Sequence, residues 1–400
     1  MFVLFISLSG LAFCIDVGTA DRVLAKSNVG DRNSITINSE SDSCSCNQST
    51  ESTPIDQCSC TDKNIWIDVY FLIDSSQAMT ANGFNEATSF AESVLYKLNI
   101  GQADGQRTRA GFISYSANAY KNYDLTAFQS SDDMIDNSYF TYDGNKGTNI
   151  ESAIKLASES FETSSHRKNV QKVIVIVASA YESGKYDDPT KIAKSFIQDG
   201  GFIITVEYLQ EHLNPVPLLN TLSSGPEYSF TNRYRNLTTE QIRQAFCRIN
   251  CFCPTNYLPY MQDDVVPTGG CYIAVSIPVI QTLAAKDCPR YHDAYLVKVE
   301  SRAKSQFLST VFPSKTKFWI GLKYLAATGL YQWSDGTYLS SSDFQMWAPG
   351  YPNANAGYCV YMYQYTGFSY GWFNDECSDD QNYICQSVPC SADNYCATRD

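Results

Sequence analysis

The chain has 400 residues, of which 18% are charged and 44% are hydrophobic. This composition excludes a disordered or collagen-like protein, and the length is enough for two domains. The formal net charge of −13 excludes a general electrostatic attraction to nucleic acid or to an anionic membrane. Fifteen cysteines indicate a compartment in which disulfides persist, and only three histidines leave little room for histidine-based catalysis.

The amino terminus carries an apolar run from Phe2 to Cys14, followed by the small residues Gly18 and Ala20. This pattern is typical of a signal peptide, and we assign residues 1–20 to it, with cleavage near Ala20. The run is too short to span a bilayer. No Lys or Arg precedes it, so a buried helix remains the alternative. Removing Cys14 leaves an even number of cysteines, which can all pair.

Residues 21–63 form a Ser-, Asn- and Cys-rich linker without apolar periodicity, as expected of a segment with little core to bury. Asn47 in this linker and Asn236 later in the chain begin Asn-X-Ser/Thr triplets, which are glycosylation acceptors in secreted proteins. The linker cysteines form two Cys-Ser-Cys triplets. We expect disulfides, since zinc sites usually place two residues between paired cysteines, and a zinc site is the alternative. These cysteines are Cys44, Cys46, Cys58 and Cys60.

Residues 64–250 alternate between strand and helix patterns. The near-continuous apolar run from Trp66 to Ile73 is suited to a strand that is buried on both faces, which implies a parallel sheet. This alternation predicts a doubly wound α/β domain. Further strands are predicted over 110–115, 173–177 and 202–206, and helices over 84–98, 150–161, 192–197 and 239–247.

Two segments of this region carry a family resemblance. They are Ile73-Asp74-Ser75-Ser76, at the end of the first strand, and Lys146-Gly147-Thr148-Asn149. With the order of elements, they make residues 64–250 resemble a von Willebrand factor type A domain. That resemblance implies a divalent cation above the carboxyl ends of the strands. In the family it is held by an Asp-x-Ser-x-Ser loop, a threonine and a later aspartate.

Two ligands of this cation site are missing. Ala78 replaces the last serine of the loop, and Ser179 stands where the family has its aspartate. Mg²⁺ demands near-octahedral oxygen coordination with carboxylate help. We therefore predict a degenerate, empty site at Asp74, Ser76 and Thr148, in which Asp74 and Thr148 serve loop hydrogen bonding and helix capping. Mg²⁺ binding is the alternative.

Four of the five tryptophans lie near the carboxyl terminus, among many tyrosines and short turn-bounded segments. Such density favours a loop-rich fold that is stapled by disulfides. Residues 253–386 resemble a C-type lectin-like domain, which implies an α+β fold, and residues 387–400 remain as a Cys-containing tail. The motifs that carry this resemblance are Phe318-Trp319-Ile320-Gly321-Leu322, Trp333-Ser334-Asp335-Gly336, Trp347 with Tyr351-Pro352-Asn353, and Trp372 shortly before Cys377.

The lectin resemblance also implies a disulfide pattern. Its members are Cys288–Cys385, Cys359–Cys377 and an amino-terminal pair assigned to Cys253 and Cys271, which leaves Cys390 and Cys396 to close a small loop in the tail. The six other cysteines flank the first domain, and we expect at least one bond that clasps its two ends. Their pairing stays open from sequence: Cys44, Cys46, Cys58, Cys60, Cys247 and Cys251.

Sugar-binding members of the lectin family hold calcium with Glu-Pro-Asn or Gln-Pro-Asp in a long loop and Trp-Asn-Asp on a later strand. Here the loop reads Tyr351-Pro352-Asn353, so a tyrosine replaces the acid, and Phe373 stands where the second motif has its asparagine. Asp375 and Glu376 are displaced from the ligand positions counted back from the next cysteine. Because calcium needs roughly six to eight oxygen ligands, we expect no calcium-dependent chelation of sugar.

Aromatic side chains remain around the segments that the family uses for binding. Aromatic faces suit both the apolar face of a sugar ring and the hot spots of protein interfaces. Packing within the sheet is the alternative for each of them. The ligand-binding candidates are Tyr351, Asn353, Tyr358, Tyr365, Phe373, Asn374 and Asp375.

No catalytic motif is found. The chain lacks a Gly-x-Ser-x-Gly elbow, a phosphate loop and a His-Glu-x-x-His helix. The three histidines, His166, His212 and His292, are isolated, and we expect them on the solvated surface. The chain is therefore predicted not to be an enzyme.

Together the two resemblances imply a secreted, extracellular recognition protein of the innate-defence type, which binds carbohydrate or microbial surface ligands without a complete calcium site. The alternative is an extracellular adhesion or matrix scaffold that binds protein partners through both domains. We expect glycans or extracellular and microbial surface proteins as partners, no nucleic acid and no transmembrane segment. No cofactor is expected, with Mg²⁺ or Ca²⁺ as the alternative.

Overall fold

A computed structural model of the chain falls into two units, Met1–Thr53 and Pro54–Asp400. It describes residues 4–8, 11–15, 58, 60–181, 183–210, 215–262, 266–367 and 369–396.

In the first unit, β1 (Leu4–Leu8) pairs antiparallel with β2 (Leu11–Ile15). The described residues of the apolar run thus form strands rather than a helix, and the signal peptide remains a prediction. The predicted cleavage position near Ala20 lies outside the described residues, as do Asn47, Cys44 and Cys46.

Six strands of the second unit form a sheet in the order β5-β4-β3-β6-β7-β8. All neighbours are parallel except β4 and β5, which confirms the predicted α/β sheet. The strands are β3 (Ile67–Asp74), β4 (Arg109–Tyr115), β5 (Ala119–Tyr123), β6 (Gln171–Ala178), β7 (Phe202–Glu207) and β8 (Ser229–Thr231). The helices are α1 (Thr80–Tyr96), α2 (Ser131–Asn137), α3 (Ile150–Phe161), α4 (Thr190–Gln198), α5 (Leu218–Leu222) and α6 (Thr239–Ile249).

All eight residues of strand β3 are buried, so the sheet must be covered on both faces. Successive side chains of a strand point to opposite faces. Val69 and Phe71 pack with α1 and α6 in one core, and Tyr70 and Leu72 pack with α3 and α4 in the other. Helices therefore cover both faces, and the carboxyl ends of the strands, where Asp74 lies, are enclosed by the loops that follow them.

A second sheet of eight strands follows, with the order β15-β14-β12-β16-β10-β9, in which β11 pairs with β16 and β13 with β12. No helix among the described residues is both long and apolar enough to cross a membrane. The strands are β9 (Leu258–Pro259), β10 (Cys271–Val279), β11 (Tyr295–Leu296), β12 (Phe318–Leu325), β13 (Leu330–Trp333), β14 (Cys359–Thr366), β15 (Ser369–Asp375) and β16 (Gln381–Ser387). Two helices accompany them, α7 (Gln281–Asp287) and α8 (Arg302–Leu308).

Tryptophans dominate the core of the second sheet. Trp319, Trp333 and Trp372 are buried, whereas Trp347 is partly buried and lies with its ring centroid 5.5 Å from that of Trp372. The clustering of tryptophans in the sequence is therefore a packing signal rather than a binding signal.

Six disulfides tie the second unit together. Three are the pairs implied by the lectin resemblance, Cys253–Cys271, Cys288–Cys385 and Cys359–Cys377, and a fourth is the expected tail loop, Cys390–Cys396. The other two, Cys58–Cys251 and Cys60–Cys247, join the beginning of the first domain to its end. They are the clasp that the flanking cysteines led us to expect.

The carboxyl-terminal tail packs against the start of the first domain. Trp66, which is fully buried, donates a hydrogen bond from its Nε1 to the Ser391 carbonyl oxygen over 3.0 Å. Its ring centroid lies 4.7 Å from that of Tyr395 and 5.2 Å from that of Phe252. Backbone hydrogen bonds between Phe252 and Cys390 complete this junction, so the tail and the segment between the two domains meet at Trp66.

Candidate functional site

Asp74 is the last residue of β3 and is fully buried at the carboxyl edge of the first sheet. Its Oδ1 accepts a hydrogen bond from the Ser76 N–H over 2.9 Å. Its Oδ2 accepts two more, from the Ser179 N–H over 3.0 Å and from the Ser179 hydroxyl over 2.6 Å. Burial raises the pKa of Asp74, and the hydrogen bonds from Ser179 and Ser76 oppose that shift.

Thr148 is buried beside this edge, immediately before α3. The residue that caps α3 is Asn149, whose Oδ1 accepts a hydrogen bond from the Ser152 N–H over 3.1 Å. The capping role predicted for Thr148 was therefore wrong by one residue, because Asn149 is the residue whose side chain reaches the exposed N–H groups of the first turn.

Asp143 is a nearby acid that the sequence analysis did not single out. Its carboxylate accepts hydrogen bonds from the Ser116 hydroxyl and, over 2.5 Å, from Asn145 Nδ2. Its own N–H donates to the Ser75 hydroxyl over 2.7 Å. Asp143 is thus engaged in holding the loop before α3.

The donor set at this edge does not fit the divalent cation that the resemblance implies. Among the described residues, Asp74 is the carboxylate in direct contact with Ser76 and Ser179. A magnesium ion requires near-octahedral oxygen coordination with carboxylate help, and one carboxylate with serine and threonine hydroxyls meets that requirement poorly. In the described part of the chain, the one cluster of three metal-ligand side chains is elsewhere, at Cys60, Asp62 and Cys247, and its two cysteines form a disulfide.

The loop of the second domain that includes Asn353 is held by the side-chain amide of Asn374. Asn374, on β15, is 3% exposed. Its Oδ1 accepts a hydrogen bond from the Asn353 N–H over 2.8 Å, and its Nδ2 donates to the carbonyl oxygens of Asn353 and Gly357, each over 2.6 Å. Asn374 is therefore bonded to the loop backbone on three sides and lies beneath the loop rather than on the surface.

The loop passes very close to β15 at Gly357. This residue has a φ of +112°, and a Cβ atom built on it would lie 2.2 Å from the Asp375 carbonyl oxygen. Only glycine tolerates both the backbone conformation and the contact. The Asn374 side chain and Gly357 together set the path of the loop against the strand.

An aromatic face covers one side of β14 and β15. Phe373 is at its centre, with ring centroids 4.7 Å from Tyr351, 5.3 Å from Tyr361, 6.0 Å from Tyr363 and 5.9 Å from Tyr365. We call these five residues the aromatic face. Tyr361 is buried at its base, while Tyr365 is 41% exposed and the other three are half-buried.

A charged pair borders the aromatic face. Lys317 Nζ lies 4.6 Å from the centroid of the Tyr361 ring and 3.9 Å from Asp375 Oδ2. Burial, followed by the charge of Asp375, raises the pKa of Tyr361. The face thus combines apolar rings with one ammonium and one carboxylate group.

The predicted ligand-binding residues divide into three groups in space. Tyr351, Tyr365, Phe373 and Asp375 are brought together on or beside the aromatic face. Tyr358 is 49% exposed but stacks on Tyr324. Asn353 and Asn374 are bonded to each other in the loop.

Three residues at this surface were missed: Tyr361, Tyr363 and Lys317. The signal for the tyrosines was present, since positions 361, 363 and 365 are all tyrosine and side chains two apart on a strand share a face. No local pattern pointed to Lys317, which reaches the face from the start of β12.

The surface position expected for His166 is wrong. Its Nδ1 lies 2.9 Å from Oδ2 of Asp68, a fully buried carboxylate, and its side chain is 13% exposed. Arg167 binds the same carboxylate. The pair lies near the start of β3, where a buried anion requires partners. His212 lies outside the described residues.

Asn236, the glycosylation candidate within the described chain, is exposed just before α6. That position leaves room for an attached glycan. The helix itself begins with a capping box formed by Thr238 and Gln241.

Comparison with known families finds a match in two separate segments of the chain. The model of the von Willebrand factor type A domain matches residues 68–245, and that of the C-type lectin domain matches residues 280–387. A nematode relative, C-type lectin domain-containing protein 160 of Caenorhabditis elegans, is 26% identical over 361 residues, which are 85% of this chain and 56% of the relative. The chain thus spans little more than half of that relative's length.

Two further matches concern the second domain. Lectin BRA-3 of Megabalanus rosa is 29% identical over 143 residues, or 36% of this chain and 83% of that protein. The C-type lectin domain of murine dendritic cell inhibitory receptor 2, solved in complex with an N-glycan, is 25% identical, covers 34% of this chain and 98% of that domain, and has a TM-score of 0.30.

These relatives indicate a lectin-like recognition role and do not favour the scaffold alternative. The two family matches occur in the order that the sequence motifs predicted. The chain therefore contains a von Willebrand factor type A domain followed by a C-type lectin domain.

Proposed function

We propose that this chain is a secreted, non-enzymatic recognition protein of the innate-defence type, which binds carbohydrate on microbial or other cell surfaces through the aromatic face and without calcium. The observation that carries the proposal is the set of three hydrogen bonds from Asn374 to the loop backbone. These bonds hold the loop against β15 beside Tyr351, a member of the aromatic face. The binding surface is therefore ordered before any ion or ligand arrives, which lowers the cost of binding.

The aromatic face has the chemistry of a sugar-binding surface. The C–H side of a pyranose ring packs on tyrosine and phenylalanine rings, and the removal of both from water is favourable. Tyr365 and Tyr351 offer partly exposed rings and hydroxyl groups. Asp375 and Lys317, which lie next to the face, supply an acceptor and a donor for sugar hydroxyls.

An extracellular location is supported by three independent features. Six disulfides are present in the second unit, and such bonds persist in oxidising compartments. The apolar segment at the amino terminus has the composition of an export signal. Asn236 is an exposed glycosylation acceptor.

The direct test is binding of the secreted, glycosylated full chain to an array of glycans and whole microbial cells, run once with calcium and once with chelator. We expect binding that is equal in both conditions, is lost in Phe373→Ala and is kept in Tyr120→Ala. Tyr120 is a matched control because it is an aromatic residue, 55% exposed, in the first domain.

Three outcomes would overturn the proposal. Binding that disappears with chelator would mean that calcium supplies the contact to sugar. Equal loss of binding in both variants would place recognition outside the aromatic face. No binding to any glycan, together with capture of extracellular proteins, would favour the adhesive scaffold.

A further inference from the structure

The carboxyl edge of the first sheet brings together two residues that are far apart in the sequence. β3 and β6 are parallel neighbours, with Ile73 paired to Val177. Asp74 ends β3 and Ser179 follows β6, so both lie at the same edge of the sheet. Both side chains are fully buried, and the contact between them is shielded from water.

The contact between Ser179 and Asp74 is a short hydrogen bond. The Ser179 hydroxyl donates to Asp74 Oδ2 over 2.6 Å, a length typical of an O–H donor bound to an ionised carboxylate. The Ser179 N–H donates to the same oxygen over 3.0 Å. Ser179 thus supplies two donors to one oxygen atom, while Ser76 supplies one to the other over 2.9 Å.

We propose that Ser179 takes the place of a divalent cation at Asp74, so that the first domain keeps this edge folded without a metal ion. A buried carboxylate requires compensation by positive charge or by donors. In this chain the compensation comes from two N–H groups and one O–H group. The change of aspartate to serine at position 179 removes one negative charge and adds one donor, and both changes favour the metal-free arrangement.

Neighbouring residues agree with this arrangement. Ala78 offers no oxygen at the position where the loop would supply another hydroxyl. The Tyr142 hydroxyl donates to the Ser76 carbonyl oxygen over 3.1 Å, which ties the loop before α3 to the loop after β3. The loops are therefore linked to each other directly, with no need for a bridging ion.

The test uses the full secreted chain and measures its melting temperature, by calorimetry, in chelator, in excess Mg²⁺ and in excess Mn²⁺. A cation that binds the folded chain alone raises the melting temperature. Titration calorimetry measures the binding of Mn²⁺. We expect the same melting temperature in all three and no heat of binding. A melting temperature that rises with either cation, or a saturable heat of Mn²⁺ binding, would overturn the proposal.

A pair of variants tests the position of Ser179 itself. Ser179→Asp combined with Ala78→Ser restores the ligand types of the family. In chelator its melting temperature should fall below that of the parent chain, because two carboxylates then face each other, and Mg²⁺ should restore it. No response of this variant to cation would contradict the proposed substitution.

Ser179→Ala tests the same contact if the double variant fails to fold. It should lower the melting temperature by about 4 °C and remain insensitive to cation. The matched control is Ser93→Ala, which removes a hydroxyl that bonds only to a helix carbonyl and should leave the melting temperature unchanged. Equal melting temperatures for Ser179→Ala and the control would overturn the role of the Ser179 hydroxyl.

Discussion

Asp74 in the first domain and Asn374 in the second lie where the two family resemblances imply a cation, and they meet that position in different ways. Asp74 is a buried anion that receives three donors. Asn374 is a neutral amide that donates twice and accepts once. The comparison teaches that side-chain hydrogen bonds can order the loops around a cation position in two ways, one centred on a carboxylate and one on an amide. Only the carboxylate is ionisable.

The largest loss of stability is expected at Asn374, because three backbone groups bond to its side chain. Asn374→Leu leaves the Asn353 N–H and the carbonyl oxygens of Asn353 and Gly357 without their partner. Unpaired buried polar groups cost about 1–3 kcal/mol each, and water reaches part of this loop, so we expect a loss of about 3 kcal/mol in the free energy of unfolding. Urea denaturation measures it.

Two controls make that result specific. Asn355→Leu changes an exposed side chain of the same loop and should leave the stability nearly unchanged. Asn374→Asp keeps the shape but removes both donors, so it should be unstable in chelator and partly rescued by calcium. A stability of Asn374→Leu equal to that of the Asn355 variant would refute the role of Asn374.

The next effect belongs to Asp74 and depends on pH. Ser179→Ala removes a hydrogen bond to a buried charge, which is worth about 2 kcal/mol at pH 7. Burial raises the folded pKa of Asp74 above its ordinary value of 3.8. The contribution of this group to stability is therefore fully present below pH 3.8 and is lost as the pH rises through the folded pKa.

Removing the hydroxyl raises the folded pKa of Asp74 further, because the lost donor favoured the ionised form. The difference in unfolding free energy between the parent chain and Ser179→Ala should thus widen as the pH rises from about 4 to 7. Denaturation at several pH values measures it. A difference that stays constant with pH would show that Asp74 is not the group involved. The same series on Asn374→Leu should be flat.

At the aromatic face we expect a smaller effect, on glycan affinity rather than on stability. Tyr365→Ala removes a ring that is 41% exposed, so stability should change little, while the affinity for the best glycan of the array should fall about tenfold. Titration calorimetry measures the affinity. Unchanged affinity would remove Tyr365 from the binding surface.

The smallest effect is expected at the charged border. Lys317→Met keeps an unbranched side chain of similar length beside Tyr361 but removes one donor to sugar hydroxyls, which should weaken glycan binding about threefold. The loss should be insensitive to salt because the sugar is neutral. A strong salt dependence would instead indicate an anionic ligand.

The sequence predicted the architecture well because its signals were local or periodic. The apolar run before Asp74 marks a strand buried on both faces, and β3 is such a strand. The tryptophan and cysteine motifs of the second domain carried its family resemblance, and that resemblance implied the fold and three of the disulfide pairs. Short elements such as β5 and α5 were not predicted, because a few residues carry too little periodicity to separate strand or helix from loop.

The sites were harder to predict, because their contacts join distant segments. The replacement of aspartate by Ser179 was visible in the sequence, but its hydrogen bond to Asp74 spans 105 positions. Asn374 was expected to face the ligand, and its amide turned out to face the loop backbone. Residue type alone does not decide between these orientations, since both satisfy an amide.

The most direct test of the central claim is amide hydrogen exchange of the secreted chain, measured in chelator and again with calcium and magnesium. Asn353, Ser76 and Ser179 each donate their N–H to one of the two side chains. We predict slow exchange at all three amides in chelator, unchanged when the cations are added. Fast exchange in chelator that becomes slow only with cation would show that metal ions, and not Asn374 and Ser179, hold these two sites.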